Sequence, residues 1–370
     1  MNIGINATAL THTNPTGVEK YSYAIIKALI KAGQKDDNFT LYSPVNLPEY
    51  FSQYQRVIKA KRYWTQVRLP IELMTQKPDV FFQPSYMLPL FCPCPSVVTI
   101  HDLAWIHFSE AYSKEQIRSQ QITLSRANRL KSEIIVPSNA TKVDCINYGG
   151  LAADKIHVIA EASIQLPEAN FDKFPNLSSL KDKNVILAIG RFETRKNQIT
   201  LIKALSVLAK KHQVDVEKTV LVLIGKPGVG ANDFFAEINK AKSTGLNIII
   251  STNASDEEVS CWFKVATLFV YPSLYEGFGL PVLQAYEAKI PVICAKNSSI
   301  TEVAGDAAWY INNATDENEL AVGINALLND PIKQNKLIGL GNKQLTKFSW
   351  QNAANQTLAV LKLASKSNKS

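Results

Sequence analysis

Residues 272–286 decide the fold of this chain; they read Pro-Ser-Leu-Tyr-Glu-Gly-Phe-Gly-Leu-Pro-Val-Leu-Gln-Ala-Tyr. The apolar run 268–271 precedes them and predicts a short buried strand. Gly277 and Gly279 permit a tight turn, and Pro281 stands where the first turn of a helix tolerates proline. The stretch therefore predicts a strand that leads through a glycine turn into a helix.

Such a turn suits a phosphate group. The first amides of a helix have no partner within the helix and lie at the positive end of its dipole, so they attract anions such as a diphosphate. Glu276 stands at the mouth of this turn. We expect its carboxylate to contact the group that the diphosphate carries.

The composition is that of a two-domain enzyme. The chain has 370 residues, 46% of them hydrophobic, which is enough for two cores of ordinary size. Residues 1–165 hold 17 basic and 13 acidic residues and residues 166–370 hold 23 and 19, so each part carries +4. This even spread, without an RNP, zinc-finger or helix-turn-helix pattern, argues against nucleic acid and leaves an anionic substrate or membrane surface as partners.

The five cysteines predict reduced thiols in the core. They are odd in number, and Cys92 and Cys94 lack the second pair that a zinc site would need. The first six residues do not resemble a signal peptide, and no stretch reaches the ~18 apolar residues of a membrane span. We therefore expect a cytoplasmic protein.

Strand and helix patterns alternate along the chain, which predicts an α/β fold of parallel sheets covered by helices. A hinge is expected at 151–167. We predict an N-terminal domain in 1–165, a second domain in 166–348, and a C-terminal helix in 349–370 that packs back toward the first domain. The predicted strands are 3–5, 39–43, 79–82, 97–101, 133–137 and 155–159 before the hinge, and 184–190, 219–225, 247–250, 268–271, 291–294 and 309–311 after it.

Two polar sites follow strands of the N-terminal domain. His101 and Asp102 end an apolar strand at its carboxyl end, the edge at which open parallel sheets bind ligands. His101 is therefore predicted to contact the substrate, although packing or capping is the usual role of a lone histidine. Gly17 opens a helix after the first strand; it is either an ordinary turn residue or part of a loop whose amides face a phosphate.

A basic and aromatic stretch lies between Glu49 and Glu72, where no acidic residue occurs. It is either the solvated face of a helix or a surface patch for anionic lipid or an acceptor diphosphate. Its basic residues are Arg56, Lys59, Lys61, Arg62 and Arg68, and they alternate with Tyr54, Tyr63, Trp64, Val67 and Leu69.

A second basic cluster follows the strand at 184–190. Arg191, Arg195 and Lys196 fall within one loop between a strand and a helix. Cations at the carboxyl end of a parallel strand can clamp a diphosphate, and we expect at least two of the three to do so.

Six motifs in the same order are typical of one enzyme family. They are Gly17-Val18, Ile100-His101-Asp102-Leu103-Ala104, Val136-Pro137-Ser138, Gly190-Arg191 with Arg195-Lys196-Asn197, Glu276-Gly277-Phe278-Gly279-Leu280-Pro281, and Thr301-Glu302-Val303-Ala304-Gly305-Asp306-Ala307. Over nearly its whole length the chain resembles the retaining nucleotide-sugar glycosyltransferases of family four. The resemblance implies the GT-B fold, in which the parallel sheets of two Rossmann-like domains face a central cleft.

The resemblance also implies roles for single residues. Arg191 and Lys196 would neutralise the leaving diphosphate, while His101 would contact the transferred sugar. Glu276 would hold the sugar's hydroxyls as an orienting residue, because the family is thought to use a front-face route without a carboxylate nucleophile. The implied donor-binding residues are Gly17, Phe278, Gly279, Leu280 and Gln284. No Asp-x-Asp motif is present, so we expect the cations to replace a divalent metal and no cofactor to be needed.

Gln284 departs from the family pattern, which has a glutamate at this position that binds the nucleotide's ribose. A glutamine can still hydrogen-bond the ribose, but without charge, and we expect donor affinity to fall by about 1 kcal/mol. Glu287 lies three residues further along the helix and is too far away to replace the missing acid.

The function expected from this resemblance is transfer of a hexose, with mannose from GDP-mannose as the expected donor, to a lipid-linked or polysaccharide acceptor. UDP-glucose, UDP-N-acetylglucosamine and dTDP-rhamnose stay open as donors, because no residue in the sequence identifies the base or the sugar. A GT-B sugar-nucleotide epimerase or phosphorylase, and a non-catalytic sugar-nucleotide-binding protein, are the alternatives.

Overall fold

The chain divides into two units, each built around its own parallel sheet. The computed structural model describes residues 1–13, 15–60, 62–85 and 87–366. The first unit contains Met1–His107, Ser113–Ile164 and the C-terminal segment that begins at Phe348, and the second contains Phe108–Tyr112 and Gln165–Lys347.

A parallel sheet forms the centre of the first unit. Its strands are β1 (Asn2–Asn6), β2 (Asn38–Ser43), β3 (Gln55–Val57), β4 (Val80–Gln83), β5 (Ser96–Thr99), β6 (Glu133–Val136) and β7 (Ile156–Val158). The described residues give the order β3-β2-β1-β4-β5-β6-β7, and Ile3 of β1 pairs with both Phe39 of β2 and Val80 of β4. The carboxyl ends of these strands therefore share one edge.

A second parallel sheet forms the centre of the second unit. Its strands are β8 (Asn184–Ile189), β9 (Thr219–Ile224), β10 (Asn247–Ser251), β11 (Leu268–Tyr271), β12 (Val292–Ala295) and β13 (Ala308–Ile311). They lie in the order β10-β9-β8-β11-β12-β13, so β8 and β11 are neighbours although about 80 residues separate them in the chain. Both sheets confirm the predicted α/β class.

Helices connect the strands and cover the sheets. They are α1 (Gly17–Ala32), α2 (Leu69–Gln76), α3 (Ala104–His107), α4 (Lys114–Arg129), α5 (Asn139–Asn147), α6 (Pro175–Ser178), α7 (Gln198–Lys210), α8 (Ala231–Lys242), α9 (Asp256–Val265), α10 (Leu280–Glu287), α11 (Ile300–Ala304), α12 (Glu317–Leu328), α13 (Pro331–Leu345) and α14 (Trp350–Lys366). None of the helices in the described part of the chain is long and apolar enough to cross a lipid bilayer.

Burial explains why strands such as β9 and β11 are apolar along most of their length. Every residue of β9 and β11 is buried, because helices cover both faces of a parallel sheet and leave no solvent-facing side. Each helix buries one apolar side. Leu361 of α14 belongs to the same core as Ile25 and Leu29 of α1, so the last helix completes the first unit.

The basic stretch of the first unit does not form a single helix. Arg56 lies on β3, which the sequence patterns do not predict, and pairs with Glu72 of α2. Arg62 lies in a loop, and Arg68 ends the π-helical turn Trp64–Arg68 that leads into α2. The interpretation of the stretch as one solvated helix face is therefore wrong, because its residues are distributed over a strand, a loop and a turn.

Candidate functional site

Three loops meet at the carboxyl edge of the second sheet. They follow the neighbouring strands β8, β11 and β12 and comprise residues 190–197, 272–279 and 296–299. The first of them carries the basic cluster, and the second is the glycine turn. Because the three strands are parallel and adjacent, these loops bring together side chains that lie far apart in the sequence.

Glu276 is the centre of the polar contacts at this edge. Its Oε1 accepts hydrogen bonds from Lys196 Nζ at 2.6 Å and from the Tyr271 hydroxyl at 2.7 Å. Its Oε2 accepts a hydrogen bond from Arg195 Nη1 at 3.1 Å. The side chain is buried, and both carboxylate oxygens are held by donors from the loop after β8 and from the end of β11.

Electrostatics keep this carboxylate ionised. Burial raises the pKa of Glu276, but the charges of Lys196 and Arg195 together with their hydrogen bonds outweigh burial and place the pKa at about 2. Burial and the neighbouring charge of Arg195 lower the pKa of Lys196. The charge of Glu276 partly offsets this decrease. Burial and the charge of Glu276 raise the pKa of Tyr271, so the phenol stays a hydrogen-bond donor.

The glycine turn is held by the loop after β12. The N–H of Glu276 donates to Ser298 Oγ at 3.0 Å. The hydroxyl of Ser299 lies 2.8 Å from the carbonyl oxygens of both Glu276 and Phe278. Gly279 has a φ of 116°, in the region that favours glycine, and directly precedes α10. The turn is thus held by hydrogen bonds at Glu276 and Phe278.

Helix α10 presents the remaining predicted donor-binding residues. Leu280 is its first residue, and Gln284 lies one turn further on the same side, partly exposed. Glu287 ends the helix and is exposed. A ligand at the start of α10 can reach Gln284 along this side of the helix.

Arg191 lies apart from the contacts of Glu276. Its side chain is 59% exposed, and its guanidinium is 3.5 Å from Glu193 and 3.4 Å from the Pro227 carbonyl. The buried cation beside Lys196 is Arg195, which donates to Glu193 at 3.0 Å as well as to Glu276.

Sequence reasoning included Arg195 in the basic cluster but missed its contact with Glu276, and it missed Tyr271 and Glu193 altogether. The position of Tyr271 at the end of a strand next to the turn was the available signal.

In the first unit, His101 lies at the carboxyl end of β5, where the sequence predicts it. The ring is buried, and its Nε2 is 3.0 Å from the carbonyl oxygen of Pro84. Gly17 is the first residue of α1, and a Cβ built on it would have no heavy atom within 4 Å among the described residues beyond its chain neighbours. The cap of this helix is Thr16, whose N–H donates to Glu19 at 2.8 Å.

The basic stretch borders a cavity of the first unit. The cavity has a volume of about 730 Å³, and its lining includes Arg56, Lys59, Arg68 and Glu72. Arg62 and its neighbour Tyr63 are exposed, and Tyr63 is exposed to 73%. Lys61 lies outside the described residues. Among the residues that the structure describes, no group of three or more His, Cys, Asp or Glu side chains could hold a metal ion.

Comparison with known proteins identifies a relative over nearly the full length of the chain. Residues 170–344 match the family model of the glycosyl transferases group 1. The chain is 25% identical over 373 residues to the O-antigen chain mannosyltransferase B of Escherichia coli, an alignment that covers 94% of this chain and 96% of the relative.

Two solved structures show the same fold. Sucrose-phosphate synthase from Thermosynechococcus elongatus is 16% identical with a TM-score of 0.75, and 98% of each chain is covered. Alr3699/HepE of Anabaena, solved with UDP and glucose, is 17% identical with a TM-score of 0.71, and the similarity covers 98% of this chain and 99% of that one. The predicted architecture of two Rossmann-like domains is thereby confirmed.

Replacing the buried carboxylate tests its role in the second unit. We expect Glu276→Gln to lower the free energy of unfolding by about 3 kcal/mol at pH 7, because two buried cations lose a counter-charge. The folded-state pKa of about 2 lies below the ordinary 4.5. The carboxylate therefore stabilises the fold fully above pH 4.5, and this contribution is lost as the pH falls through 2.

Urea denaturation between pH 3 and pH 7 measures this effect. The wild-type protein should lose stability relative to Glu276→Gln as the pH falls, since the variant has no carboxylate to protonate there. Glu287→Gln, which changes an exposed acid on α10, is the control and should unfold like the wild type. Equal denaturation midpoints for wild type and Glu276→Gln at pH 7 would contradict the buried ion-pair assignment.

Proposed function

We propose that the chain is a group 1 glycosyltransferase that transfers mannose from GDP-mannose to a lipid-linked or polysaccharide acceptor with retention of the anomeric configuration. The match of residues 170–344 to the family model and the similarity to an O-antigen chain mannosyltransferase support this proposal. The observation that carries the proposal is the ionised Glu276, fixed between Lys196 and Arg195 at the turn before α10.

The donor's diphosphate is assigned to the start of α10 and the basic loop. Lys196 has three N–H donors, of which Glu276 and the Tyr271 hydroxyl face two. The third can meet a phosphate oxygen. Arg191 is exposed at the same edge of the sheet and can add a second cation. Phe278, Gly279 and Leu280 are assigned as amide donors to the phosphate.

In the reaction, the bond between the sugar's anomeric carbon and the diphosphate oxygen breaks, and a bond to the acceptor's hydroxyl oxygen forms on the same face. The hydroxyl proton passes to the departing phosphate. Negative charge develops on the nucleoside diphosphate, and the cations with the helix amides stabilise that charge more in the transition state than in the ground state. These groups serve in place of a divalent metal.

Glu276 acts as an orienting residue in this mechanism. Both of its oxygens already accept hydrogen bonds, from Lys196 and Tyr271 on one side and from Arg195 on the other. A carboxylate held in this way is a poor nucleophile, but it can still accept a hydrogen bond from a sugar hydroxyl on a remaining lone pair. The contacts of Glu276 support the front-face route. His101 remains proposed as the contact to the transferred sugar.

Mannose is favoured as the sugar because a relative that aligns over nearly the whole chain is named an O-antigen chain mannosyltransferase. UDP-glucose, UDP-N-acetylglucosamine and dTDP-rhamnose are the competing donors. A sugar-nucleotide epimerase or a non-catalytic sugar-nucleotide-binding protein would use the same phosphate site without transfer to an acceptor.

A donor panel tests the proposal. Purified protein is incubated with each of the four nucleotide sugars and an acceptor extract, with and without EDTA, and release of nucleoside diphosphate is measured. We expect release from GDP-mannose alone, at the same rate with EDTA, and an α-linked product by ¹H NMR. Lys196→Ala should lower the rate by roughly 10²–10³, because one donor to the leaving group is lost.

Each other outcome of the panel has a defined meaning. Release from a different donor, or a rate abolished by EDTA, contradicts the proposed donor or the metal-free mechanism. Conversion of the sugar without an acceptor indicates an epimerase. Binding of a donor without any release, even with acceptor extract, favours the non-catalytic alternative.

Gln284 is proposed as the ligand of the donor's ribose. We expect Gln284→Glu to tighten GDP-mannose binding about fivefold, since a charge-assisted hydrogen bond is stronger than a neutral one by about 1 kcal/mol. Gln284→Ala should weaken binding by a similar factor. Glu287→Gln is the control on the same helix. Isothermal titration calorimetry measures the dissociation constants, and an unchanged constant for Gln284→Ala would contradict the assignment.

The basic stretch of the first unit is proposed as the contact to an anionic lipid surface on the cytoplasmic side of the membrane. Arg62, Arg68 and Lys59 are exposed, and the exposed apolar side chains of Tyr63 and Val67 lie among them. Exposed cations with apolar neighbours match the chemistry of a lipid interface. Arg56 contributes less charge, because Glu72 neutralises it.

Charge reversal tests this surface. Arg62→Glu with Arg68→Glu should lower co-sedimentation with vesicles of anionic lipid at least tenfold, because about 1 kcal/mol per basic residue is lost and acidic groups are added, while GDP-mannose binding stays unchanged. Lys210→Glu with Lys211→Glu makes the same change of net charge at exposed positions of the second unit. Equal loss in both double variants would show a net-charge effect and contradict the assigned surface.

A further inference from the structure

The cavity beside the basic stretch is a candidate for a second binding site. Its volume of about 730 Å³ lies in the range of small-molecule sites, and none of the residues assigned to the donor is among the described residues that line it. Its lining includes Asn46, which follows β2, and Lys59, which follows β3. Because β2 and β3 pair in parallel, the cavity lies at the carboxyl edge of the sheet, where parallel sheets bind ligands.

Positive charge dominates the lining of this cavity. Arg56, Lys59 and Arg68 carry three positive charges and Glu72 carries one negative charge, which gives a net charge of +2. Nε of Arg56 donates to Oε1 of Glu72, which leaves the two Nη groups of the guanidinium for a ligand. In the part of the chain that the structure describes, the side chains of Lys59 and Arg68 have no hydrogen bond or ion pair. An anion in the cavity would therefore meet two cations that no acidic side chain neutralises.

The backbone that carries Arg68 has an unusual conformation. Arg68 ends the π-helical turn Trp64–Arg68, and Tyr63 before the turn has a φ of 55°, which few residues other than glycine adopt. Such turns and such backbone angles are frequent at functional sites. The conformation is therefore a second observation, independent of charge, that points to a binding site.

Buried contacts connect this turn to the end of β3. Trp64 Nε1 donates to the carbonyl oxygen of Ile58 at 2.8 Å, and Ile58 lines the cavity directly before Lys59. Ile58 and Trp64 belong to one buried core, and the N–H of Ile58 donates to the Ser43 carbonyl of β2 at 2.8 Å. The segments that carry Lys59 and Arg68 are thus held together before a ligand binds, which lowers the cost of ordering them.

A phosphate group matches this lining. A phosphate monoester or a diphosphate carries about two negative charges near pH 7 and several acceptor oxygens, whereas a carboxylate carries one charge and two oxygens. Guanidinium groups pair with phosphate through parallel hydrogen bonds, and the lysine ammonium adds a point charge. The cavity is much larger than a phosphate, so it also has room for the group to which the phosphate is bonded.

We propose that this cavity binds a phosphate group of the acceptor, with Lys59, Arg68 and the Nη groups of Arg56 as its hydrogen-bond donors. The inference rests on the proposed function, because it assigns the ligand to the acceptor. It adds the chemical class of that acceptor, which is a phosphate ester or a diphosphate. It also separates two roles within the basic stretch: exposed residues such as Arg62 contact the lipid surface, and the cavity residues bind one phosphate group.

The chain provides matched controls for the cavity residues. Arg62 belongs to the same basic stretch and is exposed, but it is not among the described residues that line the cavity. Lys77, directly after α2, is an exposed lysine of the same unit and is likewise outside this lining. A general effect of surface charge would involve Arg62 and Lys77 as much as it involves Arg68 and Lys59.

Protection of lysines from acetylation tests the site in the full chain. Inorganic pyrophosphate is the probe, a brief pulse of acetic anhydride marks accessible lysines, and mass spectrometry measures each lysine separately. Sodium chloride at equal ionic strength is the reference. We expect pyrophosphate to protect Lys59 in a saturable manner and to leave Lys77 unprotected. Because each lysine is measured by itself, binding of pyrophosphate at Lys196 in the donor site does not affect the result at Lys59.

Three variants give distinct expectations. Arg68→Ala should raise the pyrophosphate concentration for half-protection of Lys59 about tenfold, because a charge-assisted hydrogen bond is lost. Glu72→Gln should lower this concentration about threefold, since it removes the negative charge of the lining while the glutamine oxygen can still accept from Arg56. Arg62→Ala should change it by less than about twofold, because an exposed charge outside the cavity is screened by salt.

Vesicles distinguish the two sources of such a phosphate. Phosphatidic acid exposes a phosphate monoester, whereas phosphatidylglycerol holds its phosphate in a diester, and vesicles of the two lipids are prepared with equal surface charge. Preferential co-sedimentation with phosphatidic acid that is lost in Arg68→Ala and kept in Arg62→Ala assigns the phosphate to a lipid headgroup. Protection of Lys59 by pyrophosphate without this preference assigns it to a soluble acceptor.

No protection of Lys59 by pyrophosphate, or equal weakening by Arg62→Ala and Arg68→Ala, would overturn the inference. If Arg68→Ala does not fold, Glu72→Gln decides, because unfolding cannot tighten binding, and unchanged or weaker protection in this variant would contradict the site. Release of nucleotide from no donor in the donor panel would overturn the proposed function instead, and protection of Lys59 would still establish a phosphate site in the first unit.

Discussion

The site of the second unit depends on one buried carboxylate that is shared by two loops. Glu276 accepts hydrogen bonds from Lys196 and Arg195, which follow β8, and from Tyr271, which ends β11. An unpaired charge in this position would be costly, and so would either cation without its acid. The ion pairs therefore tie the basic loop to the glycine turn. Any ligand at this edge meets cations whose positions are already set, which lowers the cost of ordering them on binding.

The same constraint operates in the first unit with different residues. His101, at the end of β5, has one ring nitrogen against a carbonyl and the other against the carboxylate of Glu161. In both units a polar group from one strand end is held by groups from neighbouring strand ends. Parallel sheets favour this arrangement, because all carboxyl ends lie along one edge and the loops after them are adjacent in space. The interior of each sheet can then remain apolar, and the polar chemistry is confined to the edge.

Much of the fold could be predicted from local patterns. The strands of the second unit are apolar runs between turn residues, and the structure places strands within all six predicted ranges or within one residue of them. The strand β3 could not be predicted, because three residues at the edge of a sheet, Gln55–Val57, show no apolar run. The local sequence pattern also could not predict which cation of the basic loop is buried. Arg195 is buried against Glu276, whereas Arg191 faces solvent, and nothing in their immediate neighbours distinguishes them.

The sequence by itself determined the alternation of strands and helices, the glycine turn before α10, and the position of His101 and the basic loop at strand ends. These features depend on residues close together in the chain, through periodicity, backbone freedom at glycine and helix polarity. Only the tertiary structure decided which of these side chains contact one another. Glu276 is 80 residues from Lys196 and 81 from Arg195, and Glu161 is 60 from His101. Their contacts exist because β8 lies beside β11, and because β4, β5 and β7 end at one edge of the same sheet. The order of strands in a sheet is set by packing of the whole unit, and no local pattern encodes it.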